Sequence, residues 1–204
     1  MKKKNKICLS SLFITVPNPV VLEESDSTVN SVSATWMKPT GEVSSYDIEC
    51  SLGDVMGPLD QSGNGPFLAS CENLTTPGDQ YTMNVASISN GKRSDETTIT
   101  LTALPNSVVL NESVSTVNSV SATWMKPTGE VSSYDIECSL GDVVGPPDQS
   151  GNGTFSASCE NLTTPGDQYT MNVASISNGK RSDETTITLT ACKLKLEKIN
   201  KDIS

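Results

Sequence analysis

From Val16 to Ala103 the chain alternates apolar and polar positions in short runs with period two. In "SVSATW" Val32, Ala34 and Trp36 share one face, against Ser31, Ser33 and Thr35 on the other. "YDIEC" sets Tyr46, Ile48 and Cys50 against Asp47 and Glu49, and Phe67, Ala69 and Cys71 share parity further on. "YTMNV" sets Tyr81, Met83 and Val85 opposite Thr82 and Asn84, while "TITLT" sets Ile99 and Leu101 opposite threonines. Strict alternation with one apolar face predicts antiparallel strands covering a core on one side. The breaks carry Pro39, Gly41, Gly53, Gly57, Pro77 and Gly78, and Asn90-Gly91 reads as a tight hairpin turn. No segment offers a helical face of useful length. About seven short strands in such a unit predict an all-β sandwich.

The whole pattern then repeats. Trp36, Tyr46 and Tyr81 recur as Trp124, Tyr134 and Tyr169, and "ENLTTPGDQYTMNVASISNGKRSDETTITLTA" occurs twice without change. Residues 16–103 and 104–191 differ at eight positions: Val16/Leu104, Pro19/Ser107, Glu23/Asn111, Asp26/Val114, Met56/Val144, Leu59/Pro147, Pro66/Thr154 and Leu68/Ser156. A unit this long is a domain, since solenoid repeats run to roughly 20–50 residues. The chain is therefore expected to form two sandwiches, 16–103 and 104–191, joined only by Ala103-Leu104-Pro105. So short a junction containing proline predicts a stiff pair.

The residues at these landmarks resemble a known family. Pro17, Val20-x-Leu22, Val32-x-Ala34-x-Trp36-x-x-Pro39, Tyr46-x-Ile48, Leu74…Pro77-Gly78-x-x-Tyr81-x-Met83-x-Val85 and Ser94 follow the order of the fibronectin type III domain, in both repeats. "PTGEVSSYDIE", the cysteine before "NLTTPG" and "ASISNGKRS" look most like repeats in the extracellular part of receptor-type tyrosine phosphatases. The resemblance implies two tandem seven-stranded, immunoglobulin-like sandwiches. It places Trp36 and Trp124 between the sheets, with Tyr46 and Tyr134 in the core. Tyr81 and Tyr169 fall where the family has its tyrosine corner, the hydroxyl bonding back to upstream backbone. One departure is visible: Thr75 and Thr76 both stand between Leu74 and Pro77, where the family usually has one residue. It bears on the turn before Tyr81.

Charge and chemistry narrow the function. The net charge is −10, but residues 17–191 carry six basic side chains against 22 acidic ones, and the balancing lysines lie near the two ends. An acidic body repels phosphate backbones, so nucleic acid is not an expected partner. The chain has no histidine, which removes the Ser/His/Asp and Cys/His catalytic arrangements and the commonest metal ligand. No cofactor and no metal is expected. Glu23, Glu24 and Asp26 suggest calcium only weakly, because repeat 2 has Asn111, Glu112 and Val114 there.

Six cysteines are present. Cys50 and Cys71 both face the core, on strands expected in different sheets, and Cys138 and Cys159 repeat them. A bridge needs those strands to converge to 4.4–6.8 Å or so between Cα atoms; the other reading is a pair of buried thiols. Cys8 and Cys192 lie outside the repeats. Asn-x-Ser/Thr triplets at Asn73, Asn111, Asn152 and Asn161 are candidate glycosylation sites. With the cysteines they favour an extracellular or cell-surface location through the secretory pathway. Residues 1–15 have a basic start and an apolar run, which reads either as a weak signal peptide or as the tail of an upstream repeat. Residues 192–204 read as a charged, disordered tail. No run reaches the 18 or so apolar residues of a membrane span.

The hairpin "SNGKRSDE" presents Lys92 and Arg93, and again Lys180 and Arg181, on an acidic domain. These four are the candidate contacts for a protein ligand or a cell-surface or matrix protein. The expected function is a non-catalytic adhesion or recognition module resembling a receptor ectodomain. The alternative is an intracellular spacer with reduced cysteines.

Overall fold

The structure is a computed structural model and describes residues 15–58, 63–145 and 151–193. The readings of residues 1–15 as a leader and of 192–204 as a tail lie outside the described residues except at residue 15 and residues 192–193.

Alternation becomes strand wherever it was read. The first repeat runs β1 (Glu23–Ser27), β2 (Val32–Trp36), β3 (Ser45–Cys50), β4 (Asp54–Met56), β5 (Phe67–Glu72), β6 (Gln80–Ser89), β7 (Lys92–Arg93) and β8 (Thr97–Thr102). The second runs β9 (Asn111–Glu112), β10 (Val120–Met125), β11 (Ser133–Cys138), β12 (Asp142–Val144), β13 (Thr154–Glu160), β14 (Gln168–Ser177), β15 (Lys180–Arg181) and β16 (Thr185–Thr190). All pairings are antiparallel. In repeat 1 one sheet has the order β1-β2-β5-β4, and in the other β6 pairs with β3 on one side and with β7 and β8 on the other. Because β7 and β8 lie along the same edge of β6, eight segments occupy seven strand positions. Ser94 makes the break between them: its buried hydroxyl accepts the Ser87 N–H at 3.0 Å and donates to the Asp95 carbonyl at 2.8 Å.

Each repeat has its own core. Val32, Ala34 and Trp36 are buried, as are Tyr81, Met83 and Val85, while their polar neighbours face out. Trp36 packs edge-on to Tyr46 at 5.3 Å between ring centroids, and Phe67 completes the group at 6.1 Å from Trp36 and 5.0 Å from Tyr46. Trp124, Tyr134 and Phe155 repeat the arrangement. Such ring pairs add about 0.5–1.5 kcal/mol beyond the area they bury. Register explains the grouping: Trp36 stands opposite Phe67 across the β2–β5 ladder.

The extra threonine before Pro77 leaves the corner intact. The Tyr81 hydroxyl donates to the Thr76 carbonyl at 2.9 Å and accepts the Thr76 N–H at 3.2 Å. Tyr169 donates likewise to the Thr164 carbonyl at 3.0 Å. Asn90 and Gly91 both have positive φ, 48° and 73°, which suits a two-residue hairpin loop.

Candidate functional site

The residues singled out by sequence fall into three groups. The cysteines pair within each repeat: Cys50 on β3 is bonded to Cys71 on β5, and Cys138 on β11 to Cys159 on β13. The Cα atoms are 5.9 Å apart in both, well under the usual spacing of packed sheets of about 10 Å, so the sheets converge at that edge. Cys71 and Cys159 are fully buried. Cys192 is exposed and bonded to no other cysteine among the described residues.

The sequon asparagines are all exposed. Asn73 and Asn161 have positive φ, 58° and 59°, and each side-chain amide donates to an aspartate, Asp54 or Asp142, at 2.7 Å. Asn111 lies on the edge strand β9, and Asn152 just before β13. The four are spread over the surface rather than gathered.

The basic hairpins behave differently from each other. Arg93 donates to Asp47 at 2.9 Å and to Glu96 at 2.6 Å, and Arg181 makes the same pairs with Asp135 and Glu184. Hydrogen bonds to Glu96 and then Asp47 raise the Arg93 guanidinium above its ordinary value; Glu184 and Asp135 do so for Arg181. These exposed pairs hold geometry more than they add stability. Lys180 bridges to Glu24 of the other repeat at 2.8 Å. Lys92 is exposed and pairs with no carboxylate among the described residues. The hairpin of repeat 1 therefore presents one uncommitted cation, whereas that of repeat 2 is part of a joint.

That joint escaped sequence reasoning. The Pro77-Gly78 turn of repeat 1 inserts between the β10–β11 loop and the β14–β15 hairpin of repeat 2. The Glu130 N–H donates to the Pro77 carbonyl at 2.8 Å. The Gly78 carbonyl accepts from the Ser177 hydroxyl at 2.8 Å and from the Asn178 side-chain amide at 3.0 Å. Contact is so close that a Cβ at Gly78 would stand 2.2 Å from the Glu130 carbonyl oxygen, and one at Gly129 2.3 Å from that of Pro77. Pro105, next in the chain, is fully buried.

The eight repeat differences carry a second signal. Pro19, Met56, Pro66 and Leu68 of repeat 1 become Ser107, Val144, Thr154 and Ser156. On repeat 1 they line two shallow clefts of about 340 and 410 Å³ on the outer face of the first sheet, one also lined by Val21 and Met37 and the other by Pro58. The face is apolar in repeat 1 and more polar in repeat 2.

Among the described residues no group of three His, Cys, Asp or Glu is placed to hold a metal, and no helix is long and apolar enough to cross a membrane. Strand order, the central indole and the tyrosine corner together decide the architecture. The fold is that of two fibronectin type III domains in tandem. No protein-family model matches the chain, and no curated protein matches it. Among solved structures it is similar to the two fibronectin type III domain segment from chicken tenascin, with 20% identity and a TM-score of 0.48 over 86% of this chain and 99% of that one. It is also similar to the FN1–FN3 domains of chicken CNTN1, with 15% identity and a TM-score of 0.38 over 86% of this chain and 68% of that one. Both likenesses are too distant to bring a ligand or a role with them.

Proposed function

We propose that the chain is a non-catalytic extracellular adhesion or recognition module: two cross-linked sandwiches stacked as a stiff spacer, presenting loops and sheet faces to a protein ligand. The motifs "PTGEVSSYDIE" and "ASISNGKRS" make it most like part of a receptor-type tyrosine phosphatase ectodomain. Asn73, Asn111, Asn152 and Asn161 are its sugar acceptors, and Lys92 is the available cation of its first hairpin.

The observation that carries this reading is the disulfide within each repeat. Reducing compartments keep such thiols open, and stable bridges of this kind belong to oxidising ones. The absence of histidine and the commitment of both hairpin arginines to neighbouring carboxylates fit a surface built for contact rather than turnover. The test is expression through a secretory pathway, followed by alkylation without reduction and peptide mapping. The reading expects Cys50–Cys71 and Cys138–Cys159 linked peptides and sugar on Asn73 or Asn161. Free thiols and bare asparagines throughout would favour the intracellular spacer and overturn it.

A further inference from the structure

The joint uses two surfaces, and the near-identity of the repeats means that each repeat carries both. Repeat 2 supplies the socket, in which Glu130, Ser177 and Asn178 receive the turn and Lys180 pairs with Glu24. Repeat 1 has the same socket at its outer end, with Glu42, Ser89, Asn90 and Lys92 in the equivalent places. Repeat 1 supplies the plug, Pro77-Gly78, and the ion-pair partner Glu24, and repeat 2 has Pro165-Gly166 and Glu112 in the equivalent places. From this we infer that the outer socket of one chain docks the outer plug of a second copy, extending the internal joint head to tail.

Both free surfaces are already in the conformation that the joint uses. Gly41 has φ 106° against 99° for Gly129, Asn90 has 48° against 46° for Asn178, and Gly166 has 87° against 79° for Gly78. Both are also open. A Cβ at Gly41 would meet nothing within 4 Å, where Gly129 faces the Pro77 carbonyl. Val43 is half-buried although its counterpart Val131 is buried, and Pro165 is exposed although Pro77 is half-buried. The charges match as well: Lys92 is unpaired among the described residues and Glu112 is exposed, so the Lys180–Glu24 bridge has its pair waiting at the outer ends.

Two features keep the contact weak. The internal joint is tethered, so its partners meet at an effective concentration in the millimolar range, a benefit that free chains lack. The outer plug is also partly covered. Lys193 lies over Gly166, with its Cγ 2.8 Å from where a Cβ would stand, and the Cys192 N–H is bonded to Thr116. Docking requires Cys192-Lys193 of one copy and Val16-Pro17 of the other to part, because Leu104-Pro105 serves both ends at the internal joint. A contact between two different surfaces does not close on itself, so it generates rows rather than dimers.

Sedimentation velocity on the full chain, from about 10 μM to about 1 mM, reads this directly, the upper limit matching a millimolar dissociation constant. The expected result is a weight-average mass that rises with concentration. Asn90→Gly keeps the positive φ but removes the amide donor, and it should weaken association about tenfold. Lys92→Glu should weaken it about fivefold, and adding Glu112→Lys should restore it. Tryptophan fluorescence of the variants checks that they are folded. Zero-length carbodiimide cross-linking of mixed ¹⁴N and ¹⁵N chains should give Lys92–Glu112 peptides of mixed label. A monomer at every concentration, or association untouched by Asn90→Gly and Lys92→Glu, would overturn the inference.

Discussion

Replacing Cys50 and Cys71 together with alanine isolates what one disulfide contributes to one repeat. The bridge spans a sequence separation of 21. Closing a loop of about 22 residues lowers the entropy of the unfolded chain by about 11 cal/mol/K, which is about 3 kcal/mol at 25 °C. The fully buried Cys71 sulfur leaves a small void when removed, adding about 1 kcal/mol. In a domain of this size each 1 kcal/mol moves the midpoint by about 4–8 °C, so the entropic part alone lowers Tm by about 12–24 °C. Repeat 2, untouched and almost identical in sequence, serves as the reference inside the same molecule. Differential scanning calorimetry of the double variant should therefore resolve two transitions, one near the wild-type midpoint and one well below it. A single transition within about 5 °C of wild type would refute the loop-entropy reasoning, because it leaves less than about 1 kcal/mol for the bridge.

Other perturbations separate local from joint effects. Gly41→Ala and Gly129→Ala impose the same positive-φ strain, costing each repeat about 1–2 kcal/mol by thermal melts. Only Gly129→Ala, whose Cβ meets the Pro77 carbonyl, should also loosen the joint, seen as lost exchange protection of the Glu130 amide. Met56→Val and Leu68→Ser copy repeat 2 at exposed positions and should each change stability by less than about 0.5 kcal/mol in urea titrations. Burial raises the Tyr46 and Tyr134 phenols above their ordinary value, with the hydrogen bond from Trp36 or Trp124 acting against it. A phenol that holds its proton longer when folded stabilises fully below about pH 10, and that contribution is lost as pH rises through the folded value. With thiols blocked, Tyr46→Phe and Tyr134→Phe should flatten the decline in stability above about pH 10, measured by denaturant midpoints.

The strands were legible because period two survives any packing detail. Val32, Ala34 and Trp36 had to share a face, and they do. The corner tyrosine was legible from its distance to Pro77-Gly78, since the hydroxyl reaches Thr76 across five residues despite the added threonine. Phe67 was read only for parity, and its place against the indole, like that of Phe155 in repeat 2, needed the β2–β5 and β10–β13 registers. The disulfides needed two sheets to converge, which no one-dimensional pattern records. The joint was hidden for a different reason. Its partners are 99 and 100 residues apart, and the same residues recur in each repeat without meeting a second repeat there among the described residues. The splitting of the last strand into β7 and β8 turned on one buried serine, Ser94, that a polar-surface pattern does not distinguish.

A stiff spacer requires the two sandwiches to move as one body. Residual dipolar couplings of amides in β2, β5, β6 and β10, β13, β14 of the secreted chain measure this most directly. A single alignment tensor fitting both repeats, with the orientation set by the Pro77-Gly78 contacts, is the predicted result. Two tensors of different magnitude or orientation would show the repeats tumbling separately and would contradict the stiff spacer.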